Sequence, residues 1–396
     1  MSRCVLFVLS TRGYSGYDYG CACGGCGSCA QCNGDGGYVE GMPWANNSGL
    51  FNSCAFVVDM LNASGVGARL VQIGDPKELA GKIAACGATD VVVEALFISP
   101  AQLREVAQKF PAVRFVVRLH SEIPFLVVEG RAMEWLHDYL LSPSISLAAN
   151  TLRATLDIRA VVVSYFPHWD QPTLAHRVEF LPNYYPMPAA LPRIPSPFGV
   201  LNVGCLGAIR PLKNQMLQAI AALSVARQLG KRLRFHVNAS RVEQAGGTPI
   251  LRNLKSLLTN AVNAELVTED WLPRSEFLSL CRRMDIGMQV SLSETFNLVT
   301  ADFVTNDVPV VVSPEMPWTD PRVQAQPTQT ADIIGKMLIA LRAESIILKN
   351  RLGLLQYDER SRATWLSVYG ERAHGWTEQP ASYVARPAIT SIGTHL

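Results

Sequence analysis

Two carboxylates, Glu294 and Asp302, lie eight positions apart across a predicted strand-to-helix junction. The apolar run at 286–290 predicts a short buried strand, and apolar residues recur at mainly helical spacing over 296–304, so we expect a helix that begins near Thr295. A helix N-terminus exposes unpaired N–H groups and a positive dipole end, which favour phosphate. Asp302 would project from nearly the same helix side as Glu294, because eight residues approach a whole number of turns. An isolated acid pair at this spacing is also common on a solvated helix face.

A second candidate for anion binding is the segment GAIRPLKN at 207–214, which follows a strand predicted over 201–206 and precedes a helix predicted over 213–228. It combines a glycine turn with the cations Arg210 and Lys213. Fixed cations at a helix start suit a diphosphate leaving group, on which negative charge grows as the sugar bond breaks. An ordinary basic helix start is the alternative interpretation.

A histidine follows the strand predicted over 113–119, at position 120. A polar residue at the carboxyl end of a parallel strand faces the ligand cleft of an α/β sheet. The imidazole of His120 could there hydrogen-bond a sugar hydroxyl or donate to a phosphate. A histidine with only structural partners is the alternative.

The segment SLSETFNLVTADFVTNDVPVV at 291–311 resembles the signature of retaining nucleotide-sugar glycosyltransferases with the GT-B fold, the broad group 1 family. That signature is usually written S-x-x-E-G-F-G-L-x-x-x-E-A-x-x-x-G-x-P-V-V. In this chain Asp302 replaces the second glutamate, and Thr295 and Asn297 replace two glycines.

The segment GAIRPLKN is similar to the phosphate loop of the same family, G-R-L-x-x-x-K-G. Lys213 falls on the lysine position, whereas Ala208 takes the arginine position and Arg210 lies two residues later. His120 resembles the family's cleft histidine. Weaker similarities are the strings AANT and LPNYYP, and a glycine loop for which Gly49 is the candidate residue.

The resemblance implies a donor site between the two domains. Its catalytic residues would be Glu294, which contacts the sugar hydroxyls, His120, which orients the sugar, and Lys213, which stabilises the diphosphate. The donor-binding residues would be Arg210, Lys213, Gly49, Thr295, Phe296, Asn297, Leu298 and Asp302, the last contacting the ribose. The chemistry needs a nucleotide-diphosphate sugar as donor substrate and no cofactor, because fixed cations replace a metal ion.

The spacing of apolar runs predicts an α/β protein of two doubly wound Rossmann-like domains, since strands alternate with helices on both sides of a proline-rich linker near residue 190. We predict an N-terminal domain over 1–190, a C-terminal domain over 198–370 and a tail over 371–396. The active site would lie in the inter-domain cleft. The family resemblance further implies that the last helix, near Trp365, crosses back to the first domain.

A cysteine- and glycine-rich insert over 13–46 separates the first strand from the first helix. The Cys-x2-Cys spacings of its string CGGCGSCAQC would allow a structural zinc ion to be bound by Cys23, Cys26, Cys29 and Cys32. Classical zinc sites separate their two pairs by a longer loop. Iron–sulfur ligation, a mobile lid with reduced thiols, and disulfides are the other interpretations.

The composition excludes few classes of protein. A net charge of +2 over 396 residues does not indicate a nucleic-acid or membrane-surface protein, although a local basic groove is compatible with it. The chain lacks an apolar run of about eighteen residues, so we expect no membrane span and a cytoplasmic location. If a bacteriophage encodes the protein, that location would be the cytoplasm of the host cell.

We therefore predict a retaining glycosyltransferase that moves a hexose or pentose to a hydroxyl acceptor. The strings RLHSEIPF and PNYYP also resemble glycosyltransferase-like bacteriophage proteins, some of which modify pyrimidines in their own DNA. A hydroxymethylated pyrimidine in phage DNA is thus one candidate acceptor, and a glycan or lipid is another. The alternatives are a catalytically degenerate binding protein on the same scaffold, which the replaced motif residues suggest, and a sugar-phosphate epimerase.

Overall fold

The computed structural model describes residues 3–11, 49–187, 189, 191–242 and 246–370. In these ranges strands and helices alternate, and all the strands belong to two parallel sheets, as the sequence predicts. The tail over 371–396 and the insert over 13–46, including its four candidate zinc ligands, lie outside the described residues.

The first sheet has six strands in the order β2-β1-β3-β4-β5-β6. The strands are β1 Cys4–Ser10, β2 Gly67–Ile73, β3 Asp90–Glu94, β4 Arg114–Leu119, β5 Ile145–Ala149 and β6 Val178–Phe180. The central strands are almost wholly buried, since helices cover both faces of the sheet. The helices are α1 Gly49–Ala63, α2 Leu79–Cys86, α3 Pro100–Lys109, α4 Ile123–Leu126, α5 Ala132–Leu140, α6 Leu152–Tyr165 and α7 Gln171–Arg177.

Local sequence signals fix where helices of this domain begin. The hydroxyl of Ser99 accepts from the backbone N–H of Gln102, whose side chain caps Ser99 in return, and proline occupies the first position of α3. This capping box satisfies N–H groups that an α-helix leaves unpaired. Thr151 caps α6 in a similar way by accepting from Ala154.

The second sheet has five strands in the order β11-β10-β7-β8-β9. The strands are β7 Val200–Gly204, β8 Arg232–Asn238, β9 Ala264–Glu269, β10 Ile286–Gln289 and β11 Val310–Val312. The helices are α8 Gln215–Gln228, α9 Gly247–Asn260, α10 Arg274–Cys281, α11 Leu298–Thr305 and α12 Thr330–Arg342. The helix predicted from Lys213 begins two residues later, because Asn214 is left-handed at φ 56° and the preceding 3-10 turn Pro211–Lys213 ends there.

The last helix, α13 Glu344–Tyr369, contacts both domains. Near its start, Asn350 accepts a hydrogen bond of 2.7 Å from the backbone of Asp320 in the C-terminal domain. Near its end, Trp365 is fully buried, lies 5.7 Å from Phe7 of β1 between ring centroids, and donates to the carbonyl of Pro182 at 2.8 Å. The expected return of the last helix to the first domain is confirmed.

No helix within the described ranges combines the length and the apolar character that crossing a bilayer requires.

Replacing Trp365 by alanine should lower the stability of the N-terminal domain by about 3–5 kcal/mol, because it opens a cavity in the core and removes one of the two hydrogen bonds to the Pro182 carbonyl. The urea midpoint of unfolding would measure the loss. Leu348→Ala is the matched control, since Leu348 lies on the same helix with 69% of its surface exposed and should change the midpoint little. Equal effects of the two substitutions would show that the crossing contact does not stabilise the domain.

Candidate active site

A lysine and a glutamate come together at the carboxyl end of the second sheet. Lys213 ends the 3-10 turn after β7, and Glu294 lies in the loop after the adjacent strand β10. The Lys213 ammonium contacts Oε1 of Glu294, and the Ser291 hydroxyl donates to the same oxygen at 2.8 Å. Burial raises the pKa of Glu294, but Lys213 and the nearby Arg210 bring it below its ordinary value. The structure thus joins two predicted catalytic residues in an ion pair.

The helix expected from Thr295 begins at Leu298 instead. Asn297 is the reason: its backbone is left-handed at φ 56°, and its side chain accepts from the N–H of Thr300 at 2.9 Å as the N-cap. Phe296 is 1% exposed and packs in the core, so its side chain does not line the cleft. The N-terminus of α11 therefore presents the backbone of Leu298 and its neighbours.

The prediction that Glu294 and Asp302 project from nearly the same side of one helix is wrong, because Glu294 precedes the helix that carries Asp302. Asp302 is 3% exposed, accepts from the Tyr185 hydroxyl at 2.7 Å and pairs with Arg274 at 2.8 Å. Burial raises the pKa of Asp302, and the two partners oppose the shift without cancelling it. The Asp302 carboxylate is therefore bound to Tyr185, which lies in the segment that connects the two domains.

His120 has two charged neighbours that sequence reasoning missed. Its Nε2 contacts the Glu94 carboxylate, and Nη1 of Arg118 lies 3.2 Å from both oxygens of that carboxylate. Glu94 and Arg118 are fully buried at the carboxyl ends of β3 and β4, whereas 14% of the His120 side chain is exposed. A sequence signal existed, since each strand is apolar except for these charges and Asp90 and Arg114 at the strand starts.

The remaining donors of Arg118 reach the segment that leaves the first domain. Its Nε donates to the carbonyl of Leu181 at 2.9 Å, and Nη2 donates to the carbonyl of Pro182 at 3.0 Å and to the side chain of Asn183 at 2.7 Å. Residues 181–183, the LPN string of the sequence, therefore supply the remaining hydrogen-bond acceptors of the buried Arg118.

Contacts across the cleft place the two halves of the site against each other. The Thr295 hydroxyl donates to the carbonyl of His120 at 3.4 Å, and the Arg210 guanidinium lies 4.2 Å from the ring centroid of Phe125. A side-chain carbon added to Gly49 would lie 3.5 Å from Leu298, so the start of α1 adjoins the start of α11. Four of the predicted donor-site residues, Thr295, Arg210, Gly49 and Leu298, thus lie where the two domains face each other.

An ion pair spans the rim of the cleft. Arg153 of the first domain lies 3.1 Å from Glu122 of the same domain and 3.1 Å from Glu315 of the second. Glu315 also accepts from the backbone N–H of Glu294. The loop that carries the catalytic candidate is therefore bound to the first domain.

Cys54, Glu94 and His120 are of residue types that bind metals, and their candidate ligand atoms lie within 4.8 Å of one another. However, Glu94 already neutralises the buried Arg118, and burial raises the pKa of the Cys54 thiol well above its ordinary value. A cation would have to bind beside a guanidinium and remove the thiol proton, so the cluster fits a hydrogen-bonded group better than a metal centre.

Comparisons with known proteins address the fold. No protein-family model and no curated protein matches this sequence. Among solved structures, an α,α-trehalose-phosphate synthase (UDP-forming) from Burkholderia vietnamiensis is similar with a TM-score of 0.64 and 14% identity, covering 93% of this chain and 96% of that one. An E. coli trehalose-6-phosphate protein bound with UDP-2-fluoro glucose has a TM-score of 0.59 and 10% identity, covering 93% of this chain and 99% of that one. S. aureus TarM, solved with UDP and α-GlcNAc-glycerol, has a TM-score of 0.51 and 12% identity over 71% of this chain and 55% of that one. These similarities show the GT-B fold.

Arg274→Gln should destabilise the protein more at pH 8 than at pH 5. Without the cation, the folded-state pKa of Asp302 rises further above its unfolded value near 4, so stability falls as pH rises from about 4 to that raised pKa. We expect a loss of about 3 kcal/mol at pH 8, because Arg274 is one-quarter exposed and breaking fully buried pairs costs about 3–5 kcal/mol. Urea unfolding at both pH values measures it.

The matched control is the double variant Arg274→Gln/Asp302→Asn, which has no buried carboxylate and should lose the added pH dependence. If the double variant keeps it, another group is responsible.

Proposed function

We propose that this protein is a retaining glycosyltransferase that transfers a sugar from a nucleotide-diphosphate donor to a hydroxyl acceptor. The observation that carries the proposal is the Lys213–Glu294 ion pair at the carboxyl end of one sheet, held opposite His120 at the carboxyl end of the other. Such a position is where open α/β sheets bind ligands.

The ion pair is suited to exchange its partners for a nucleotide sugar. The diphosphate would replace Glu294 as the counter-charge of Lys213, and sugar hydroxyls would replace the ammonium as donors to the Glu294 carboxylate. Both groups are largely buried, with side-chain exposures of 15% and 6%, so neither can lose its partner without a substitute. A bound donor supplies both substitutes at once.

The leaving group would be stabilised by fixed positive charge. As the bond from the anomeric carbon to the diphosphate oxygen breaks, charge grows on that oxygen close to Lys213 and Arg210. Backbone N–H groups at the start of α11 would add to this field. In the retaining reaction the acceptor oxygen would approach from the face that the diphosphate leaves, and its proton would pass to the departing phosphate oxygen.

Contact between Asp302 and the ribose would require a change in the free structure. The Asp302 carboxylate is bound to Arg274 and Tyr185, so one of these partners would have to move when the nucleotide binds. We therefore assign Asp302 a secondary part in the proposal.

The acceptor is to be found by a panel of hydroxyl compounds. DNA with hydroxymethylated pyrimidines, unmodified DNA, simple glycosides and a lipid-linked glycan would be incubated with several nucleotide sugars. Release of the nucleoside diphosphate reports transfer, and the anomeric coupling constant of the product reports whether configuration is retained. Sugar conversion without an acceptor would indicate an epimerase instead.

Glu294→Gln and Lys213→Gln should each lower kcat/KM by about 10²–10³-fold, because each removes a charge that faces the reacting sugar phosphate. Nucleoside diphosphate release with the donor selected from the panel is the measurement. Glu276→Gln is the control, since Glu276 is an exposed glutamate of the same domain.

Full activity of Glu294→Gln would refute the site assignment. Absence of nucleotide-sugar binding by the wild-type chain in calorimetry would refute the function and favour a binding protein on this scaffold.

A further inference from the structure

A buried carboxylate with a full set of donors lies behind His120. Glu94 is 0% exposed, and its two oxygens face Nη1 of Arg118, Nε2 of His120 and the thiol of Cys54. Burial alone raises the pKa of Glu94, but Arg118 and His120 bring it below its ordinary value. Glu94 is therefore ionised and can only accept hydrogen bonds.

This arrangement determines where the imidazole carries its proton. An ionised carboxylate accepts from Nε2, so Nε2 holds a hydrogen. Burial lowers the pKa of His120, and Glu94 opposes that shift without cancelling it, so the ring is neutral near pH 7.5. Its second nitrogen, Nδ1, then bears a lone pair, and within the described part of the chain it has no hydrogen-bond partner.

We propose that Glu94 is a positioning residue that fixes His120 as the Nε2–H tautomer, so that Nδ1 accepts a hydrogen bond from a hydroxyl of the donor sugar. This inference rests on the proposed function and adds to it a preference for one kind of donor-sugar substituent. A lone pair on Nδ1 attracts an O–H donor and repels phosphate or carboxylate oxygens. The cleft therefore favours, at this position, a neutral sugar hydroxyl over an anionic substituent.

Arg118 makes the tautomer depend on the charge of residue 94. In Glu94→Gln, the amide oxygen can accept from Arg118 at either carboxylate position, because Nη1 lies 3.2 Å from both oxygens. With the NH2 group in the position of Oε2, the amide faces His120 and donates to Nε2. This substitution should move the imidazole proton to Nδ1 and turn the acceptor in the cleft into a donor.

The first test is a nitrogen NMR measurement on the full chain without ligand. The protein would be labelled with ¹⁵N-histidine, and the His120 signals identified by comparison with His120→Gln. We expect a protonated Nε2 and an unprotonated Nδ1 in the wild type at pH 7.5, and the reverse in Glu94→Gln. An Nδ1–H tautomer, an imidazolium, or a bound metal ion on Nε2 in the wild-type protein would overturn the proposal.

The second test is kinetic and uses UDP-glucose and its monodeoxy analogues as probes. Glu94→Gln should lower kcat/KM for UDP-glucose by about 10- to 100-fold, mainly through KM, because Nδ1 could no longer accept from the sugar hydroxyl, which would have to turn to accept instead and leave its own O–H without that partner. One monodeoxy donor should be used poorly by the wild type and be nearly insensitive to Glu94→Gln. A purely structural role of Glu94 would lower the rate with all donors equally and would overturn the proposal.

Two variants serve as controls. Cys54→Ser changes a neighbour of Glu94 but leaves the carboxylate in place, so the tautomer and the donor preference should be unchanged. Glu94→Asp keeps the charge and should restore the Nε2–H tautomer even where Glu94→Gln folds poorly. If no nucleotide sugar is used at all, the proposed function fails, whereas the NMR result still decides the tautomer.

Discussion

The site depends on the buried guanidinium of Arg118. A fully buried cation is tolerated only when a counter-charge and hydrogen-bond acceptors surround it. Here the counter-charge is Glu94, the acceptors lie at 181–183, and the ring of Trp365 lies 5.2 Å from the guanidinium carbon. The guanidinium of Arg118 therefore contacts three elements: the end of β3 beside His120, the segment by which the chain leaves the first domain, and the end of α13. Removing Arg118 would leave the Glu94 carboxylate without its counter-charge behind the cleft. The loss of stability would therefore affect both the site and the junction between the domains.

Two ion pairs near the cleft each contain a nearly buried acid. Glu294 pairs with Lys213 and Asp302 with Arg274, and the two acids have side-chain exposures of 6% and 4%. The pairs differ in kind. The first joins two loops at the carboxyl ends of adjacent strands, where a ligand can reach both members. The second lies under the inter-domain connection, where Tyr185 shares the carboxylate. The two acids of one motif thus lie in different environments. The Glu294 pair is suited to exchange with a ligand, whereas the Asp302 pair is suited to holding the inter-domain connection.

Much of the fold follows from local sequence, whereas the site does so only in part. Apolar runs identify most of the strands, because parallel strands buried on both faces need continuous apolar residues. The lysine and glutamate of the ion pair were predicted from their positions after two such runs. Glu94 and Arg118 were not, since a charge inside an apolar strand gains its meaning from a partner 24 residues away in the chain. The start of α11 was placed three residues early, because apolar spacing does not report the left-handed backbone of Asn297.

The residues that depart from the family signature fit the geometry they occupy. Asn297 stands where the signature has glycine, and its φ of 56° lies in a region that asparagine tolerates better than most residues. Its side chain also caps α11, which glycine could not do. Thr295 replaces another glycine and donates across the cleft to the backbone of His120. The arginine expected at Ala208 is absent, but the guanidinium of Arg210 lies over Phe125 of the opposite domain and so reaches the cleft from two residues further on. Each of these departures from the signature therefore has a structural role in this chain, as a helix cap, a contact across the cleft or a cation that faces the opposite domain.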